Sequence, residues 1–216
     1  MKLILLGAPG CGKGTQSPKL VDRYNICHLS TGDMLRAAVA AGTPAGLKAK
    51  GAMDAGALVT DDIVFGVLKE GMAANPQCKN GYIIDGLPRS LEQARKMEAE
   101  GLTCDKAVSF DVPDDVIIER TSGRWIHRAS GRTYHSKFAP PKVAGIDDVS
   151  GEPLMQRNDD KAEVVKKRLV LFHEQIGPIK DLYKAKGQLI NIDGNRKAAE
   201  ITANLFAMLD PVAKKH

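Results

Sequence analysis

The 216-residue chain contains no apolar run approaching the roughly 18 residues that a membrane-spanning helix requires, so no membrane anchor is expected. It has no CxxC pair. Cys11, Cys27, Cys78 and Cys104 are widely scattered, and their spacing suggests neither a disulfide framework nor a zinc site, which favours a reducing compartment. There is no clustered basic run. A net charge of +5 without such a run argues against a nucleic-acid binder and suits small polyanionic ligands. Aromatics are sparse at 5%, and no low-complexity tract or internal repeat interrupts the chain. With 43% hydrophobic and 26% charged residues, the composition is that of an ordinary soluble globular protein. The apolar stretch after Met1 runs directly into a glycine-rich loop and not into a cleavage site, so a cytoplasmic protein without a removable leader is expected.

What is present is a strand and helix alternation. Lys2 to Leu6 reads as a buried strand that feeds a Gly/Pro loop and then a helix over Lys13 to Tyr24. Further strands are expected at Tyr82 to Ile84, Lys106 to Phe110 and Gln188 to Ile192, separated by helical patterns at Ser90 to Glu100 and Ala162 to Lys186. The expected fold is α/β, a parallel sheet flanked by helices. Pro18 falls inside the first of these helices, where it removes an N–H and costs about 3 kcal/mol unless it lies in the first turn. Two segments break the rhythm. Residues 30–59 are Ala/Gly-rich and helical in propensity, whereas 122–160 are rich in Gly, Pro, Ser and Asp and suggest a small lobe of short strands and turns. The core is then 1–29, 60–121 and 161–216.

The strongest chemical signal is Gly7-Ala-Pro-Gly-Cys-Gly-Lys13-Gly-Thr15, a GxxxxGK loop between strand and helix with its hydroxyl one position later than usual. Here Gly10, Cys11, Gly12 and Gly14 let consecutive N–H groups curl around phosphates at a helix N-terminus, while Lys13 and Thr15 add a point charge and a hydroxyl. Asp85-Gly-Leu-Pro-Arg89 ends a strand of the parallel sheet, where ligands of such sheets gather. Asp85 suits Mg²⁺ held through water, and Arg89 offers a bidentate fork to a second phosphate. Gln93 follows Arg89 by one helical turn. Arg120 and Arg124 flank the start of the 122–160 segment, Arg157 lies near its end and Arg168 on the next helix. With Arg36 they supply several cations for a reaction that brings two sets of phosphate oxygens together.

These residues carry a resemblance. GAPGCGKGTQ, LSTGDMLRAA at 29–38, DAGALVTD at 54–61, DGLPR at 85–89 and GRWIHRASGRTYH at 123–135 together resemble the adenylate kinase family, over nearly the whole chain. The length of the 122–160 segment matches the long-lid variety of these nucleoside monophosphate kinases. The resemblance implies a P-loop NTPase-like core, an AMP-binding arm at 30–59, a lid at 122–160, and transfer from MgATP to AMP giving two ADP by a monomer. It implies that Thr31, Arg36, Ala57, Leu58 and Val59 line the AMP site together with Gly86, Leu87, Pro88, Arg89 and Gln93, closed by Arg157 and Arg168. Gln93 has an amide able to donate to adenine N1 and accept from its N6 amino group. Arg120 and Arg124 are implied to face ATP and the moving phosphoryl group, Thr133, Tyr134 and Arg196 the ATP base and ribose, and Asp33 to join Asp85 around Mg²⁺. Leu87 stands where the family usually has phenylalanine, and Trp125 where it often has a second arginine.

Some members of that family hold a structural zinc with four cysteines in the lid. The corresponding residues here are His127, Ser130, Asp147 and Ser150, a poor zinc set that points to a hydrogen-bonded polar cluster without metal. Other histidines have no motif context. Competing readings are a GTP-dependent AMP phosphotransferase, a P-loop ATPase or switch protein, and an inactive protein that retains the fold.

Overall fold

The structure is a computed structural model and describes residues 1–214. Five parallel strands form the central sheet: β1 (Lys2–Gly7), β2 (Cys27–Ser30), β3 (Tyr82–Asp85), β4 (Lys106–Asp111) and β7 (Leu189–Asp193), in the spatial order β2-β3-β1-β4-β7. Two short antiparallel strands, β5 (Arg124–Ile126) and β6 (Thr133–His135), form a separate sheet within the 122–160 segment.

The middle strand shows why the sheet is parallel and covered on both sides. Leu3, Ile4, Leu5 and Leu6 are all buried, as expected of a strand with helices over each face. Alternation then divides them: Ile4 and Leu6 join one apolar cluster, whereas Leu3 and Leu5 join the other. The first cluster takes Leu35 of α2 (Thr31–Ala40), Ala49 of α3 (Pro44–Ala55), Leu68 of α4 (Asp61–Ala74) and Met97 of α5 (Leu91–Ala99). The second takes Leu20 of α1 (Lys13–Tyr24), Ile117 of α6 (Asp114–Ser122), Val165 of α7 (Ala162–Ala185) and Leu205 of α8 (Ala198–Ala213). The chain passes from β1 over β3 to β2, and later from β3 over β1 to β4, so the connections leave the sheet in opposite directions beside β1. The carboxyl ends there open a crevice suited to a ligand.

Two sequence expectations need correction, and the position of Pro18 in its helix is answered. Strand β2 was not expected; it is short, and its Cys-His-Leu-Ser sequence becomes strand only by pairing with β3. The cysteine spacing gave no sign of a disulfide, yet Cys27 at the start of β2 is bonded to Cys78 in the 3-10 turn Pro76–Asn80, 51 residues away. Cys11 and Cys104 are free and buried. Pro18 lies inside α1 beyond its first turn, so the N–H it would have donated to Gly14 is missing from the helix.

Candidate active site

The cleft opens at the carboxyl edge of the sheet, where β1 and β3 end and α1 begins. Gly7 leaves β1 at φ 148°, and a Cβ there would lie 2.6 Å from Cys11 Sγ and 3.1 Å from Phe110 O, so the turn admits only glycine. Gly12, in the left-handed region at φ 105°, precedes α1, and the N–H groups of the first turn of α1 give that end a positive character. Gly10, Cys11, Gly12, Gly14 and Thr15 all line the same cleft. Lys13 Nζ donates to the carbonyls of Gly7 (2.8 Å) and Ala8 (3.1 Å) and sits 3.9 Å from Asp85 Oδ1.

Asp85 is 9% exposed. Burial pushes its carboxyl up, but the charge of Lys13, followed by the His28 ring, outweighs this and holds it below the ordinary carboxylate range. It is therefore ionised at neutral pH. His28 Nε2 lies 3.7 Å from Asp85 Oδ2, too far for a hydrogen bond, and this buried nitrogen has no hydrogen-bond partner among the described residues. The sequence offered no reason to single out His28, which reaches the cleft because β2 lies beside β3.

Across the cleft from the loop lies an arginine cluster threaded by carboxylates. Arg36 donates to Asp33 Oδ1 (2.6 Å) and to Asp159 Oδ2 (3.3 Å). Arg157 donates to the same Asp33 oxygen (2.8 Å), Arg168 to Asp159 Oδ2 (2.8 Å), and Arg124 is bidentate to Asp160. Among the described residues Arg89 has no carboxylate partner at hydrogen-bond distance; its Nε donates to the Gly86 carbonyl (2.7 Å). Burial, with the charge of Arg168 next, pulls the Arg89 guanidinium down to about 10, so it remains a cation at neutral pH. Burial, followed by the charge of Arg36, does the same to Arg157, also to about 10. Asp159 is held below the ordinary range; burial raises it, but Arg36 and Arg168 outweigh that. Asp159 and Asp160 were missed in the sequence; their pairing with Arg36 and Arg124 spans 123 and 36 residues.

Beside this cluster is a small cavity walled by Leu35, Leu58, Val59, Val64 and Leu87, with Thr31 and Gly86 at one side. Gln93 forms its polar wall and is 2% exposed. Ser90 caps α5 by accepting from the Gln93 N–H (3.1 Å). Thr31 Oγ1 donates to the Asp85 carbonyl (3.2 Å), joining the cavity to the loop side. Pro88 reaches the main cleft, while Ala57 lines neither space and serves the backbone, its N–H bonded to the Ala52 carbonyl (2.9 Å).

The 122–160 segment adds the remaining wall. Arg120 donates to the Gly194 carbonyl (2.9 Å), and Arg196 Nε donates to Asp193 (3.0 Å). Thr133, Tyr134 and Arg196 border the cleft on the loop side. The tyrosine hydroxyl, however, is turned into the lobe, where it donates to Asp147 Oδ1 (2.9 Å). Within that lobe His127, Ser130, Asp147 and Ser150 come together as a hydrogen-bonded group: His127 Nδ1 lies 2.7 Å from Ser130 Oγ, and Ser150 Oγ donates to Asp147 Oδ2 (2.8 Å). Glu152 reaches His127 Nε2, and Arg132, which the sequence did not single out, is bidentate to the buried Asp147.

A P-loop lysine and a second pocket lined by arginine, facing one another across a single cleft, define a nucleoside monophosphate kinase, an enzyme that passes a phosphoryl group between nucleotides. Residues 5–188 match the family model described as adenylate kinase. The chain is 53% identical over 212 residues to "Adenylate kinase 4" of Oryza sativa subsp. japonica, covering 96% of this chain and 87% of that protein. It is 51% identical over 208 residues to "Adenylate kinase 4" of Arabidopsis thaliana (94% and 84% covered) and 51% identical over 208 residues to "Adenylate kinase 3" of Oryza sativa subsp. japonica (94% and 86% covered). The chain belongs to the adenylate kinase family.

Proposed function

We propose that the enzyme transfers the terminal phosphoryl group of MgATP to AMP, giving two ADP. The observation that carries this reading is the pairing of the glycine loop and Lys13 with a cavity whose polar wall, Gln93, stands next to Arg89. The donor phosphates lie against the N–H groups of the loop and Lys13. The acceptor phosphate is gripped by Arg36 and Arg89, and Arg120, Arg124, Arg157 and Arg168 neutralise the transferring group. No protein base is required, because such a transfer depends on positioning and charge stabilisation.

Asp85 fits Mg²⁺ held through water, since it is an ionised hard oxygen donor beside the loop, and Mg²⁺ keeps most of its waters while using one or two carboxylates. Asp33 fits less well because Arg36 and Arg157 both engage it. When bound, Mg²⁺ supplies positive charge to the outer phosphates. Water competes with AMP as acceptor, so closure of the arm at 30–59 and the lid at 122–160 over the substrates serves to exclude it.

A coupled assay of AMP-dependent ADP formation with ATP, GTP and ITP as donors tests the reading. We expect ATP to be preferred; equal or better use of GTP, or nucleotide hydrolysis without AMP, overturns it. In the same assay K13M is expected to lose on the order of 10²-fold or more in kcat while its thermal unfolding changes little. Turnover near the parent's in a folded K13M protein removes Lys13 from the mechanism.

A further inference from the structure

The small cavity contains an arrangement that the sequence did not suggest. Gln93 uses its side-chain oxygen to accept the main-chain N–H of Arg89 (2.7 Å), while its Nε2 donates to Asp61 Oδ1 (2.8 Å). Asp61 is the first residue of α4, and Gln93 lies in the first turn of α5, so the contact exists only because α4 and α5 meet over the sheet. The bond to Arg89 resembles a capping box, in which a glutamine three residues after a capping serine accepts that serine's N–H; here it accepts the N–H one residue earlier and still secures the start of α5. That explanation needs only the side-chain oxygen. It leaves the Asp61 contact unaccounted for.

We propose that Asp61 selects the acceptor base by locking the amide of Gln93 in one of its two orientations. An ionised carboxylate only accepts and a backbone N–H only donates, so the two neighbours impose opposite demands on the two ends of the amide. A flip by 180° sets the amide oxygen against the carboxylate and the NH₂ against the Arg89 N–H, losing both bonds and creating two repulsions. In the locked orientation one amide hydrogen and one oxygen lone pair remain to face the cavity. Adenine presents the matching edge, an accepting N1 beside a donating N6 amino group. Hypoxanthine and guanine present the reverse, an N1–H beside a carbonyl. The apolar walls of Leu35, Val59, Val64 and Leu87 keep water from compensating a mismatch, so the wrong base leaves polar groups unpaired. Asp61 touches no substrate in this scheme; it is a positioning residue.

The inference rests on AMP being the acceptor, and the test separates the two. Using saturating ATP, kcat/KM is measured for AMP and for IMP in the parent and in D61A, and the dissociation constants of both acceptors are measured by calorimetry without donor. The expected result is that the AMP:IMP ratio falls about tenfold in D61A, chiefly through weaker AMP binding, with the KM for ATP unchanged. D61N keeps the size of the side chain but offers either a donor or an acceptor, and the ratio is expected to fall about threefold; it serves if D61A does not fold. A parent that prefers AMP while both folded variants keep its ratio overturns the role of Asp61 and leaves the acceptor reading standing. A parent that does not use AMP overturns the acceptor reading itself. A fall in ATP binding equal to the fall in AMP binding also overturns the proposal, because a general loosening of structure has that signature.

Discussion

At the scale of single residues, the carboxylates of the arginine cluster decide how readily its charges are available. Asp33 Oδ1 holds both Arg36 and Arg157, so a phosphate entering there competes with a carboxylate already in place. D33N keeps the shape and removes the charge. Its AMP affinity in metal-free buffer is expected to rise by about three- to tenfold, by calorimetry. Unchanged or weaker AMP binding shows that the two arginines are not restrained by this contact. The residues of the P-loop were legible in the sequence because backbone geometry demands them: only glycine serves at position 7, and a lysine placed at 13 has one evident task. His28, Asp61 and Asp159 were not legible. Their chemistry comes from neighbours that are distant in sequence, 57 residues for His28 and Asp85 and 123 for Arg36 and Asp159, and no local pattern records such meetings.

Among the elements, strands β1, β3, β4 and β7 were readable as short apolar runs, and their ends shift by no more than one residue between sequence expectation and structure. Strand β2 was not, since four residues with alternating burial carry too little signal to separate from the helix that follows. The lobe of β5 and β6 has almost no apolar core and is organised by polar contacts around Asp147. Hydrogen bonds from Arg132 come first, and with those of Ser150 and Tyr134 they outweigh burial and hold the Asp147 carboxyl far below the ordinary range. A carboxyl depressed by folding adds stability above its unfolded value of about 4, and that stability is lost as pH falls through the lower, folded value. Between pH 5 and 8 the contribution is therefore constant. D147N is expected to unfold at a lower temperature than the parent at neutral pH, with the difference shrinking only in strong acid. Calorimetric scans across pH check this; a gap that already closes between pH 8 and 6 contradicts it.

For the whole molecule, the parallel α/β class and the position of the cleft followed from strand and helix alternation, but the strand order and the covalent link between β2 and the turn before β3 did not. Cysteines 51 residues apart with no surrounding pattern give no pairing. Closing a loop of that length removes chain entropy from the unfolded state worth about 4 kcal/mol in a simple treatment. Reduction of the Cys27–Cys78 bond is then expected to lower the unfolding temperature by on the order of 10 °C, measured with and without a phosphine reductant. Equal transitions in both conditions remove the bond from the stability of the fold.

Two ion pairs, Asp33 with Arg157 and Arg36 with Asp159, join parts of the chain that are far apart in sequence. Asp33 belongs to the helix that follows β2, whereas Arg157 lies at the end of the long insertion, just before the turn leading to α7. Any ligand that draws either partner away shifts a balance shared by both halves of the cleft. Thermodynamic reciprocity then fixes the sizes: the factor by which the donor nucleotide alters affinity for the acceptor equals the factor by which the acceptor alters affinity for the donor. These ion pairs are thus the physical route through which filling one side of the cleft would bear on the other before any chemistry occurs.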